Sequence, residues 1–128
     1  MTEDFSVVVS AGSLATDTPT TFVWPDGRTH VDAPFTGLHV THLAIGGCVL
    51  NDTFREAGKR QVPVDGVRVS VRGGFSLEEA IFGATEYVLE IDSPASAAEV
   101  AALADHVEAI AEIPRALAAS VTVTRKRN

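Results

Sequence analysis

Cys48 is the one thiol in this chain. It cannot close an intrachain disulfide. Two chemistries remain: attack as a thiolate with help from an outside partner, or service as a small packing residue. The surrounding run, from Gly37 to Phe54, predicts a long helix with Gly46-Gly47 just before the thiol. Mid-helix, Cys48 gains little from the helix N-terminus, which lowers thiol pKa values. At about 100° per residue, Thr41, Ala44, Ile45, Asn51, Asp52 and Arg55 surround it on its own face. Asp52, one turn on, opposes thiolate formation. Arg55, two turns on, assists it only by folding its side chain back. The residues alone therefore leave the reactive thiol and the packing thiol both open.

Other chemistry-bearing residues are scattered. His39 and His42 stand three apart on the same helix, a spacing that suits two metal ligands. No third ligand follows at motif spacing, and His30 and His106 are isolated, so no metal and no cofactor are expected. Asp65-Gly66 reads as a turn, and Glu78-Glu79 as solvent-facing. No nucleophile elbow surrounds a serine. Gly46-Gly47 and Gly73-Gly74 lack the spacing of a phosphate loop.

The elements that must position these residues follow from the patterning. Residues 5–10, 20–24 and 28–32 are β-prone, with a turn at Pro25-Asp26-Gly27, and predict an N-terminal antiparallel meander. Residues 38–58 form the first helix. Its apolar stripe is Leu43, Gly47, Leu50 and Phe54, and Gly58 is a plausible C-cap. The glycine pair costs helix propensity, about 1 kcal/mol each against alanine. It therefore marks the close approach of another element, with a neighbouring backbone beside the thiol. Val67, Val69 and Val71 alternate with polar residues in a half-buried strand that Gly73-Gly74 ends. Tyr87, Leu89 and Ile91 mark another strand. Ser96-Ala97-Ala98-Glu99 is a capping box that opens a second helix. That helix buries Val100, Leu103, Ala104, Val107, Ile110 and Ala111. Pro114 breaks or restarts it, and Val121 and Val123 mark a last strand. Strands and helices are grouped, so the class is α+β. No repeat or linker interrupts residues 1–128, which are read as one domain.

Composition narrows the function. The 128 residues suffice for one real core, and 45% apolar content suits a globular chain. A net charge of −7 argues against nucleic-acid binding. The basic tail Arg125-Lys126-Arg127 reads as a solvated end. No apolar run approaches the roughly 18 residues a membrane span needs. Met1-Thr2-Glu3-Asp4-Phe5 has neither a basic nor an apolar signal region, so the expectation is a cytoplasmic protein in a reducing compartment.

Three motifs in order make this chain similar to the OsmC/Ohr family of thiol-dependent hydroperoxide reductases. The first is Asp32-Ala33-Pro34, followed by a helix whose first half ends in Gly-Cys. The second is Gln61-Val62-Pro63-Val64-Asp65-Gly66-Val67, running into a strand. The third is Ala111-Glu112-Ile113-Pro114-Arg115-Ala116-Leu117, before a terminal strand. The resemblance implies a curved antiparallel sheet on two long helices and an intertwined homodimer with sites at the subunit interface. It also implies a peroxidatic thiolate, matched by Cys48, whose sulfenic acid a second cysteine captures before an external thiol restores the pair. The departures are specific. Ile113 stands where the resolving cysteine belongs. Leu38 stands where one branch of the family has a glutamate, with His39 beside it as a possible polar substitute. No arginine lies in residues 10–20, where that branch has one, and Arg28 is the nearest candidate. Two functions result. One is reduction of organic hydroperoxides through Cys48, with Arg55, His39 and Arg28 as accessory candidates and a small thiol or protein dithiol as reductant. The other is a catalytically degenerate homodimer that binds a small apolar or acyl ligand at the subunit interface.

Overall fold

A computed structural model describes Ser10, residues 12–15 and residues 29–127. The expected strand over residues 5–10 falls outside these, apart from Ser10. So do the strand over residues 20–24 and the turn at Pro25-Asp26-Gly27. Gly12–Leu14 form one short 3-10 turn. Thr29 to Asp32, expected to resume the sheet, belong to no strand.

The first helix, α1, spans Gly37–Arg60. It starts where Thr36, in extended conformation, accepts the His39 N–H on its hydroxyl at 3.2 Å. It does not end at Gly58. Lys59 and Arg60 extend it, their charge suiting the negative end of the helix dipole, and Gln61 takes the left-handed cap at φ 57°. The Gln61 N–H bonds to Gly58 O and the Val62 N–H to Ala57 O, which closes the last turn.

Two antiparallel strands follow: β1, Gly66–Ser76, and β2, Ile81–Asp92. Val67, Val69 and Val71 pair with Ile91, Leu89 and Tyr87 on the inner face. On the outer face Arg68 meets Glu90 at 2.7 Å, and Arg72 meets Glu86. The glycine pair expected to end β1 lies inside it, at a register shift between Gly73 and Phe75. A Cβ on Gly73 would come within 3.0 Å of Ala84 O and 2.8 Å of Thr85 Oγ1. Glycine is therefore what lets the strands stay paired there. Beyond it, Phe75 and Phe82 stack edge to face at 5.0 Å.

Helix α2, Ala97–Ile110, begins as the capping box requires, with Ser96 Oγ accepting the Glu99 N–H at 3.2 Å. Ala111 breaks the run, and Glu112–Leu117 form the short helix α3 with Pro114 in its first turn, where the missing N–H costs nothing. The last strand, β3, is Val123–Arg125. It pairs parallel to β2, so the sheet is mixed and not purely antiparallel as expected. The reason is topological: the chain returns from β2 through α2 and α3, a crossover that brings the next strand back in the same direction. Of the basic tail, Lys126 and Arg127 are exposed as expected, but Arg125 is tied down. Arg125 Nη1 lies 2.9 Å from both Asp105 and Glu108 of α2, and Arg127 joins them.

The core comprises Ile45, Val49 and Ala57 of α1, Tyr87 and Leu89 of β2, and Leu103, Ala104, Val107 and Ala111 at the α2 end. The apolar stripe read from the sequence is not the core face of α1. Leu43 remains 40% exposed, while Ile45, Val49, Asp52, Thr53 and Glu56 point inward. That inward face is polar at its C-terminal half, which is why apolar periodicity selects the wrong side. Thr53 Oγ1 donates back to Val49 O at 2.7 Å. Glu56 meets His106 Nε2 at 2.8 Å, Arg55 Nε at 3.0 Å and Lys59 Nζ at 3.2 Å. These partners, His106 and Arg55 first, hold the Glu56 carboxyl at about 2. Its folded value lies below its unfolded value, so its stabilisation is full above about pH 4.5 and is lost as pH falls toward 2. Glu56→Gln should therefore destabilise the protein by about 2 kcal/mol at pH 7. Denaturant melts at pH 7 and pH 3 check this: the difference between variant and parent should shrink at the lower pH.

Candidate functional site

Cys48 and Asp52 are four apart on α1, so their side chains stack on one helix face. The start of α3 brings Glu112 over them. Cys48 Sγ lies 3.4 Å from Glu112 Oε2 and 3.9 Å from Asp52 Oδ2. The thiol, half-buried, is thus a hydrogen-bond donor to carboxylates. Arg55 stands behind this group, on the oxygens turned away from sulfur. It reaches Asp52 Oδ1 at 3.0 Å and Glu112 Oε1 at 3.7 Å, and its Nε is bound to Glu56. The guanidinium therefore serves three carboxylates and does not fold back onto the thiol.

The electrostatics follow from that arrangement. Burial pushes the Cys48 thiol up to about 11, and the charges of Asp52 and Glu112 push the same way. The backbone N–H of Ile113 opposes them by hydrogen bonding to sulfur. Burial also raises Asp52, to about 6, and a hydrogen bond shared with Glu112 adds to the rise. Glu112 is held below the usual carboxylate range by its own backbone N–H first and by Asp52 second. The two neighbouring carboxyls are thereby pushed apart, Asp52 upward and Glu112 downward, and at pH 7 both are mostly ionised. At pH 7 about one thiol in ten thousand would be ionised. Sγ and one oxygen from each carboxyl lie within 4.8 Å of one another, so these three side chains are the group that could share a cation. In the structure Arg55 supplies that positive charge.

The other candidates fall elsewhere. His39 sits in the first turn of α1, with Nδ1 at 2.6 Å from Oγ1 of the N-cap Thr36. It sits nine residues from Cys48, about 13 Å along the axis. His42 faces the Phe82 ring at 5.9 Å, so the two histidines do not converge on one ligand. Arg28 lies outside the described residues. Sequence reasoning found Cys48, Asp52 and Arg55 on one face and missed Glu112. The signal was available: Glu112 immediately precedes Ile113, the position that a family resemblance places beside the thiol.

Beside α1, but away from Cys48, lies a cavity of about 310 Å³. Leu43, Leu50, Val69 and Val71 line it, with Gly46 and Gly47 on the helix side and residues 29–33 across it. The expected close approach at the glycine pair is real at Gly46, where a Cβ would lie 3.2 Å from the Val71 side chain. The neighbour is a side chain and not a backbone. At Gly47 a Cβ would meet nothing within 4 Å. The helix turns about 140° between Leu43, on the cavity, and Cys48.

The carboxylate cage has a direct consequence for reactivity. Asp52→Asn or Glu112→Gln should each lower the thiol pKa and speed alkylation of Cys48 by iodoacetamide at pH 8 several-fold. A rate unchanged in both variants would mean that the carboxylates do not govern the thiol.

The match to known proteins is one of fold and family. No curated protein matches this sequence. An OsmC-like protein from Mycoplasma pneumoniae superposes with a TM-score of 0.65 at 16% identity, over 76% of this chain and 73% of that one. An organic hydroperoxide resistance protein OsmC from Legionella pneumophila gives 0.57 at 13% identity, over 70% and 66%. The organic hydroperoxide resistance protein OhrB of Bacillus subtilis gives 0.56 at 10% identity, over 76% and 73%. The family model for OsmC-like proteins matches residues 32–126, which include α1, the mixed sheet and the Cys48 cluster. The chain belongs to the OsmC-like family.

Proposed function

We propose that this protein is a homodimer that binds a small apolar ligand without turnover, and that Cys48 is a neutral hydrogen-bonding thiol. One observation carries the proposal: Sγ faces Glu112 at 3.4 Å and Asp52 at 3.9 Å, with no cation turned toward it among the described residues. A peroxidatic thiol needs the opposite surroundings, because the thiolate is the nucleophile. Ile113 stands in the place of a resolving cysteine, so a sulfenic acid at Cys48 would have no partner in its own chain. The cavity on the other side of α1 supplies the binding space. Its rim includes the exposed Leu43 and Val31, and Phe35, Leu38 and Val40 are exposed nearby in sequence. A second copy covering this apolar face accounts for its exposure in one chain. No helix among the described residues is long and apolar enough to cross a membrane, and a single free thiol suits the reducing cytoplasm.

A second reading keeps the reductase. It is favoured by the split between Asp52 and Glu112 and by the Ile113 N–H on sulfur. In it Glu112 takes the thiol proton and sulfur attacks the nearer oxygen of an organic hydroperoxide. The O–O bond breaks, and the alkoxide takes the proton that Glu112 accepted and leaves as an alcohol. Two small thiols, or one protein dithiol, then reduce the sulfenic acid, restoring the Cys48 thiol, releasing water and forming a disulfide between the reductant's sulfurs. The first proton transfer runs uphill by several pH units, which places this reading second.

Cumene hydroperoxide with excess dithiothreitol separates the two. The parent and Cys48→Ser should consume peroxide at the same background rate. Turnover that depends on Cys48 would establish the reductase instead. Light scattering should give a dimer at micromolar concentration, and a stable monomer would remove the assembly.

A further inference from the structure

The cavity beside Gly46 and Gly47 contains a chemical instruction beyond its apolar walls. Thr29 lines it, and the Thr29 hydroxyl is buried with no hydrogen-bond partner among the described residues. A buried hydroxyl left unpaired costs free energy, so this one is available to bond a polar atom of a ligand in the cavity. No lysine or arginine lines the cavity among the described residues, whereas Asp32 does. Among these residues an anionic ligand would find no permanent positive charge, with His30 the one titratable base, and one like charge. Gly47 adds an independent sign. It costs α1 helix propensity, yet its missing side chain accommodates nothing among the described residues. Gly46 is accounted for by Val71, but Gly47 only opens space toward the cavity.

We propose that this cavity is a site for a small uncharged molecule with an aliphatic body and one hydrogen-bonding oxygen, such as an alcohol, ketone or ester. Thr29 bonds the oxygen, and Leu43, Leu50, Val69 and Val71 enclose the carbon chain. At about 310 Å³ the space is at the small end of ligand pockets. The assignment rests on the reading that the protein binds an apolar ligand, and it names what that ligand must offer. It does not involve Cys48, which faces another side of α1.

Titration of the full chain with 1-hexanol, hexanoate and toluene, followed by amide chemical shifts at pH 7, tests it. Hexanol should bind at least about tenfold tighter than hexanoate. Thr29→Val should weaken hexanol roughly three- to tenfold, the loss of one hydrogen bond, and leave toluene unchanged. Gly47→Leu, which improves helix propensity and fills the space, should abolish both. If hexanol and toluene bind the parent but Thr29→Val changes neither, the hydroxyl does not read the ligand and this inference falls, while apolar binding stands. If neither binds the parent, apolar binding itself falls. Binding that survives Gly47→Leu places the ligand elsewhere and overturns the site. Hexanoate binding as tightly as hexanol overturns the uncharged class.

Discussion

Two carboxylates and a hydroxyl of α1 lie in the interior, and the pairing of those carboxylates governs the site. Asp52, Thr53 and Glu56 are each 6% exposed or less, on the helix face that also carries Ile45 and Val49. Buried carboxylates persist only when paired. Arg55 is the common partner, reaching Asp52, Glu56 and Glu112. His106 ties Glu56 to α2, and Glu112 ties the cluster to α3. The same ion pairs that seat α1 against the C-terminal helices therefore consume Arg55, the one cation near the thiol among the described residues. A cysteine that one arginine could activate is left facing acids.

The geometry of α1 also keeps two features apart that a single-site reading would merge. The thiol belongs to the face under α3, and the cavity to the face under β1 and residues 29–33. Gly46 lets the helix approach Val71, and Gly47 leaves open space. The glycines beside Cys48 thus serve the cavity and not the sulfur, although they adjoin it in sequence. On a helix, neighbours in sequence point about 100° apart, so adjacency is poor evidence for a shared site.

Much of the fold was legible in the residues. The Ser96 cap, the Val67-Val69-Val71 alternation and the break near Pro114 each rest on local chemistry, and each is present. What escaped was set by tertiary context. The core face of α1 is half polar, so its apolar stripe marked the side left open in one chain. Gly73-Gly74 looked like a stop but serves a bulge that only cross-strand contact with Thr85 explains. The direction of β3 depends on the crossover through α2 and α3, which hydrophobic periodicity does not encode. At the site, Asp52 and Arg55 were found by helical spacing. Glu112, 64 residues from the thiol in sequence, needed the fold.

The central claim is that Cys48 is kept protonated by its surroundings. The most direct measurement is the ultraviolet absorbance of the thiolate as a function of pH, taken as the difference between the parent and Cys48→Ser so that Tyr87 cancels. The account requires no thiolate step through neutral pH and a rise only near 11. A step at or below the ordinary cysteine value of about 8.5 would contradict it.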